Sequence, residues 1–223
     1  MTLDVVGLTK SYGSTPVLND LSASFEPHAV HFVMGENGAG KSTLLRCIMG
    51  IERHLGQVTW EGRRIAPESR TLTPVFDTAP AYLRLTGRQN LSVLCPESVD
   101  GSIQYLSEAK LGSRVSTYSH GERMRLTLTM ALNSTSPVLL LDEPTNGLDR
   151  TSMVRLQEDL QALKKERTIV LTGHNLEFYS GLVDTVSILR EGGLERVAQP
   201  PCPTPKESSL VDLYDSRATR TPL

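Results

Sequence analysis

Nine consecutive residues, Gly35-Glu36-Asn37-Gly38-Ala39-Gly40-Lys41-Ser42-Thr43, carry the spacing G-x-x-x-x-G-K-[ST]. That spacing suits phosphate chemistry. Glycines at 35, 38 and 40 let the backbone turn sharply enough for successive N–H groups to converge on phosphate oxygens. Lys41 is then placed to reach the β- and γ-phosphates and Ser42 to offer its hydroxyl to Mg2+, while the start of the following helix adds its positive end. A second pair, Asp142 and Glu143, closes the apolar run Val138–Leu141. Two carboxylates delivered at the end of a buried strand complete a phosphoryl-transfer site, with Asp142 holding Mg2+ through water and Glu143 acting as general base on the attacking water. Together the motifs predict a nucleoside triphosphate hydrolase rather than a binder, because binding alone needs no base.

Both motifs require strand–loop–helix surroundings, and the patterning supplies them. Residues 30–34 form an apolar run ahead of the first motif, and 41–50 are helix-compatible. Residues 137–144 read as a strand covered on both faces and bounded by prolines. Over 150–166, Met153, Leu156, Leu160 and Leu163 share one helical face. Residues 168–173 and 186–189 are further short apolar runs. Strands alternating with helices predict an α/β fold with a mostly parallel sheet, whose ligands gather at the carboxyl ends of the strands. Segments 3–8, 21–25 and 57–60 predict an antiparallel β subdomain at the N-terminus, and from about 78 to 135 the sequence reads as a helical insert. Residues 1–197 are expected to form one nucleotide-hydrolysing domain. A proline-rich linker, 199–205, then opens a tail (198–223) with a short amphipathic helix at 208–215.

The composition excludes several classes. The chain has 223 residues with 23 Lys and Arg against 25 Asp and Glu, a net charge of −2, so bulk attraction to nucleic acid is not expected. Cys47, Cys95 and Cys202 are odd in number and lack metal-like spacing, which predicts neither a disulfide framework nor a zinc site. No signal peptide is expected from the first ten residues, and no apolar run approaches the roughly 18 residues of a membrane span.

Read in order, GENGAGKST (35–43), YSHGE (118–122), LLLDEPTNGLD (139–149) and TGH (172–174) resemble the ATP-binding subunit of an ABC (ATP-binding cassette) transporter over about residues 2–197. YSHGE in its place is what separates this family from other P-loop proteins. The resemblance implies a P-loop NTPase core with ATP sandwiched between two subunits, the P-loop of one facing the signature segment of the other. It implies that Tyr12 stacks on adenine and that Ser119 and Gly121 reach the γ-phosphate in trans. Asp149 would cross the interface, and His174 would contact the γ-phosphate. Ser119 with Glu122 three residues on is a capping-box pattern, which agrees in placing a helix start there. Against it, Met124, Leu126, Leu128, Met130 and Leu132 alternate as in a strand; the cap and the resemblance together favour helix.

Two departures stand out. The family signature usually reads Leu-Ser-Gly-Gly-Gln, and here Tyr118, His120 and Glu122 replace three of the five. Where relatives place a Mg2+-touching glutamine, alignment puts Asp77, which is either a shorter, charged substitute or an ordinary loop residue. The short insert after Asp77 resembles that of compact ATPases powering exporters. The expected partners are separate membrane permease subunits and a second ATPase subunit, identical or not, on the cytoplasmic face of the membrane. The rival expectation is a nucleotide-gated scaffold that recruits a membrane or DNA-maintenance complex without transport.

Overall fold

The computed structural model describes residues 1–66, 69–76, 81–96, 101–173, 176–179 and 181–197. The expected tail, with Cys202 and the helix at 208–215, lies outside them, as do Asp77 and His174.

Strands β1 (Leu3–Tyr12), β2 (Thr15–Phe25), β4 (Leu55–Trp60) and β5 (Arg63–Arg64) make an antiparallel sheet in the order β2-β1-β4-β5. β1 buries Leu3, Val5 and Leu8. Its alternation breaks between Val5 and Leu8 because the register with β2 shifts there, at Gly7 with φ +63°. β4 crosses that point through Gly56, where a Cβ would lie 2.5 Å from the Gly7 carbonyl oxygen, so the side chain must be absent.

The second sheet holds β3 (Val30–Met34), β6 (Leu72–Val75), β7 (Val138–Leu141), β8 (Thr168–Thr172), β9 (Thr185–Arg190) and β10 (Gly193–Val197) in the order β10-β9-β3-β8-β7-β6. All pairings are parallel except the β9–β10 hairpin. Its inner strands alternate between two cores. Phe32, Leu139, Leu141, Ile169 and Leu171 face α4 (His120–Leu132) and α5 (Arg150–Leu163). Val33, Val138, Leu140, Val170 and Leu189 face α1 (Lys41–Ile48) and the antiparallel sheet. Apolar burial on both faces is why these strands read as continuous hydrophobic runs.

Between β6 and β7 the described chain is helical: α2 (Gly87–Leu94), α3 (Glu108–Leu111), a 3-10 turn (Val115–Thr117) and α4. A third core of Leu91, Leu111, Val115, Tyr118, Leu126 and Met130 holds them. α4 resolves the conflict in its sequence. At about 100° per residue, Met124, Leu128, Ala131 and Leu132 lie on one side and Leu126 and Met130 on the other. The first set enters the sheet core and the second the insert core. The strand-like alternation is that of a helix buried on two opposite faces.

Candidate nucleotide site

β3, β8 and β7 are neighbours in that order, and their carboxyl ends carry the chemistry side by side. After β3, the P-loop turns through Gly38 (φ +82°) and Gly40 (φ +101°), conformations that side chains resist. The Ala39 N–H donates to the Glu36 carbonyl (3.1 Å), closing the turn over Asn37. Gly35 has no room for a Cβ against the Leu189 carbonyl (2.8 Å), and Gly40 none against Val17 (2.8 Å). Gly40 precedes α1 and makes no side-chain cap, so nothing on that residue screens the first helical N–H groups around Ser42 and Thr43 from an anion. Lys41 is 5% exposed, and its ammonium donates to the carbonyls of Gly35 (2.7 Å) and Glu36 (3.0 Å). Burial pulls its pKa below the usual range, opposed by the nearby Glu143 and Asp142 carboxylates. A buried ammonium whose partners among the described residues are neutral carbonyls is a group that gains from an incoming phosphate charge.

After β7, Asp142 is buried and Glu143 takes a left-handed backbone, φ +47°. That conformation costs about 1–3 kcal/mol for a non-glycine residue. Three hydrogen bonds hold it: Glu143 N–H to Thr172 Oγ1 (3.0 Å), Asn146 N–H to the Glu143 carbonyl (3.0 Å), and Asn146 Nδ2 to Glu143 Oε2 (2.9 Å). Thr172, ending the intervening β8, also donates its hydroxyl to Asp142 Oδ1 at 2.8 Å. One buried hydroxyl thus fixes both carboxylate residues. Sequence reading passed over Thr172, because a threonine closing an apolar run looks like a strand former and nothing more. Replacing Thr172 with Val keeps the shape but leaves the Glu143 N–H and an Asp142 oxygen unmatched. Urea unfolding is expected to register a loss of about 1–3 kcal/mol, and ATP turnover a drop of roughly tenfold. A variant with wild-type stability and turnover removes Thr172 from the site.

Tyr12, at the end of β1, is 46% exposed, with its ring 4.7 Å from Lys10 Nζ. It pairs with Thr15 across the hairpin whose Val17 packs on Gly40, which puts it on the P-loop side of the antiparallel sheet.

The signature segment forms as its cap predicts. Ser119 is the N-cap of α4: the Glu122 N–H donates to Ser119 Oγ (3.2 Å) and the Ser119 N–H to Glu122 Oε2 (2.7 Å). Capping uses an acceptor lone pair of Ser119 and leaves its O–H proton available to donate to an anion. Gly121 packs backbone to backbone on Gly147, so closely that a Cβ would collide with the Gly147 carbonyl. The signature and the loop carrying Glu143 therefore touch within one chain, a contact 26 residues apart that no local pattern announces. Asp149 caps α5, accepting from the Ser152 N–H (2.8 Å) and from Arg125 Nη1 (2.7 Å). The Ser152 bond and then Arg125 hold its carboxyl below the usual range.

A phosphate cradle on one strand and a carboxylate pair two strands away define a P-loop nucleotide-hydrolase fold. Residues 18–146 match the family model described as ABC transporter. The lantibiotic transport ATP-binding protein of Streptococcus pyogenes is 30% identical over 85% of this chain and 87% of its own length. Nod factor export ATP-binding protein I of Rhizobium meliloti (strain 1021) is 35% identical over 86% of this chain, the match spanning 62% of that longer protein. Among solved structures, an ATP-binding subunit of an ABC transporter superposes with TM-score 0.80 at 24% identity, covering 98% of this chain and all of the other. The chain belongs to the ABC transporter family. It is an ATP-binding ATPase subunit of that family, in the fold that the motif order had led us to expect.

Proposed function

We propose that this ATPase powers export through separate membrane subunits, closing as a dimer around two ATP molecules and reopening on hydrolysis. The observation that carries the catalytic part is the alignment of three strand ends: the P-loop on β3, Thr172 on β8, and Asp142–Glu143 on β7. The P-loop backbone of residues 35–43 and Lys41 hold the phosphates, Tyr12 stacks on adenine, and Glu143 draws the proton from the attacking water. Mg2+, when bound, neutralises phosphate charge. Ser42 and the buried Asp142 suit it as one hydroxyl and one carboxylate, with phosphate oxygens and water completing the shell. Among the described residues no three His, Cys, Asp or Glu side chains gather to cage a metal alone. Ser119 and Gly121 address the partner's γ-phosphate and Asp149 the interface. His174, outside the described residues, keeps the γ-phosphate role that the resemblance implies, and Asp77, also outside them, is either a charged substitute for the family's Mg2+-touching glutamine or an ordinary loop residue.

The names of the two relatives, one of transport and one of export, support the exporter reading over the scaffold. Among the described residues no helix is long and apolar enough to cross a membrane, so the permease belongs to other chains in this reading. The insert presents an apolar surface to receive them: Tyr82, Leu83 and Val93 are each more than half exposed. Asn90, fully buried, pins the Tyr82 backbone with two hydrogen bonds (2.7 and 3.1 Å), and the Ser116 N–H holds the Leu83 carbonyl (2.9 Å). Apolar groups on a rigid turn bind a partner at low ordering cost. Affinity purification of the tagged chain from membranes is expected to recover a polytopic membrane protein, with ATPase activity in the isolated assembly. Recovery of soluble partners alone would move the reading to the scaffold.

A further inference from the structure

Glu122 stands where the family signature usually has a neutral glutamine, at the third position of the helix whose N-terminus carries Ser119. In an isolated helix a carboxylate there is favourable, because it balances the helix dipole. Next to a triphosphate it is the wrong sign: it cancels the positive end that should meet the γ-phosphate and adds like-charge repulsion. Lys110 answers that charge. Its ammonium lies 2.9 Å from Glu122 Oε2, the same oxygen that accepts the Ser119 N–H.

The lysine is held in place by a second replaced residue of the signature. Tyr118 is buried, its ring lies 4.7 Å from Lys110 Nζ, and its hydroxyl donates to the Lys110 carbonyl at 2.6 Å. Ser107 caps α3 from the other side by accepting the Lys110 N–H (3.3 Å). Backbone and side chain of Lys110 are thus both positioned, by residues from the signature segment itself and from the start of α3. The Lys110 bond is also the largest influence keeping the Glu122 carboxyl below its usual range.

We propose that Lys110 is a positioning residue for the trans-nucleotide site: held by Tyr118, it neutralises Glu122 and so restores an anion-accepting N-terminus at Ser119. The Glu122 and Tyr118 departures from the family signature are then one coordinated change that works only with a positive charge at 110. This rests on the reading of Ser119 as facing the partner's ATP.

The test is steady-state ATP hydrolysis by the assembly purified from membranes, with Lys110→Gln, Lys110→Arg, Lys110→Gln/Glu122→Gln and Ser119→Ala variants. Lys110→Gln is expected to raise the ATP concentration for half-maximal hydrolysis about fivefold to tenfold, with a smaller change in kcat. Lys110→Arg, which keeps the charge, stays within about twofold of wild type. The double variant regains most of the loss, because the uncompensated carboxylate is gone; a merely structural lysine would give no such rescue. Should Lys110→Gln fail to fold, the double variant and Lys110→Arg decide alone, and a double variant with the impaired ATP dependence overturns the proposal. An unaltered Lys110→Gln alongside an impaired Ser119→Ala overturns this inference only. No change in either overturns the trans reading of Ser119 as well.

Discussion

Glu143→Gln is expected to slow ATP hydrolysis by about a thousandfold while ATP still binds. A positioned general base contributes roughly 10²–10⁴-fold, and an amide has no lone pair basic enough to take the proton from water. The substitution is otherwise quiet. Glutamine can still accept the Asn146 amide, which lies 2.9 Å from Glu143 Oε2, and the backbone bond to Thr172 Oγ1 does not involve the side chain. The left-handed backbone at φ +47° is equally strained for either residue. Loss of activity therefore reports the proton transfer and not a displaced loop. Single-turnover hydrolysis beside equilibrium binding of ATP separates the two, and with hydrolysis blocked an ATP-dependent dimer accumulates in size-exclusion chromatography. More than a tenth of wild-type turnover would take the base away from Glu143.

Gly121→Ala has an effect of similar size by a different route. The added methyl meets the Gly147 carbonyl, and since a Cβ has no torsion to turn and the carbonyl is backbone, no rotamer relieves the collision. Gly147 is itself fixed at φ +74°, with no space for a Cβ beside His120 Cδ2 (2.8 Å). The N-terminus of α4 and the loop from Glu143 to Asp149 must separate. That moves Ser119 on one side and Glu143 on the other, and small misplacements of reacting groups cost about 10²-fold in rate. A hundredfold lower turnover is expected, with a stability loss of about 1–3 kcal/mol from overpacking and ATP affinity of the isolated subunit unchanged. Wild-type turnover with an unshifted melting temperature would show that the contact opens without consequence.

What could be read from the sequence is what the chain encodes locally. The P-loop is a short run whose glycines must turn, and the Ser119–Glu122 cap is a four-residue device; both form as expected. The parallel strands were legible because burial on both faces makes them uniformly apolar. β6 was not, since Leu72–Val75 contains Pro74, which argues against a strand. β6 proves to be the edge of its sheet, where a missing N–H is tolerated. β10 was hidden for a different reason: its two apolar residues, Leu194 and Val197, face opposite cores with Glu195 and Arg196 between them, so neither an alternating pattern nor an apolar run forms. The site escaped the sequence where it depends on distant neighbours. Thr172 matters because β8 lies between β3 and β7, and Lys110 because α3 folds back on α4, neither of which a single segment specifies.

α4 is a wall common to two rooms. Leu126 and Met130 belong to the insert, while Met124, Leu128, Ala131 and Leu132 belong to the sheet. Opening the insert core would uncover one whole face of the helix while the other stays packed on the sheet, so the insert does not loosen without exposing buried apolar surface. Movement that carries work outward therefore cannot come from loosening. It is left to shear, with α4 and the helices on its outer side sliding as one body over the face of the sheet.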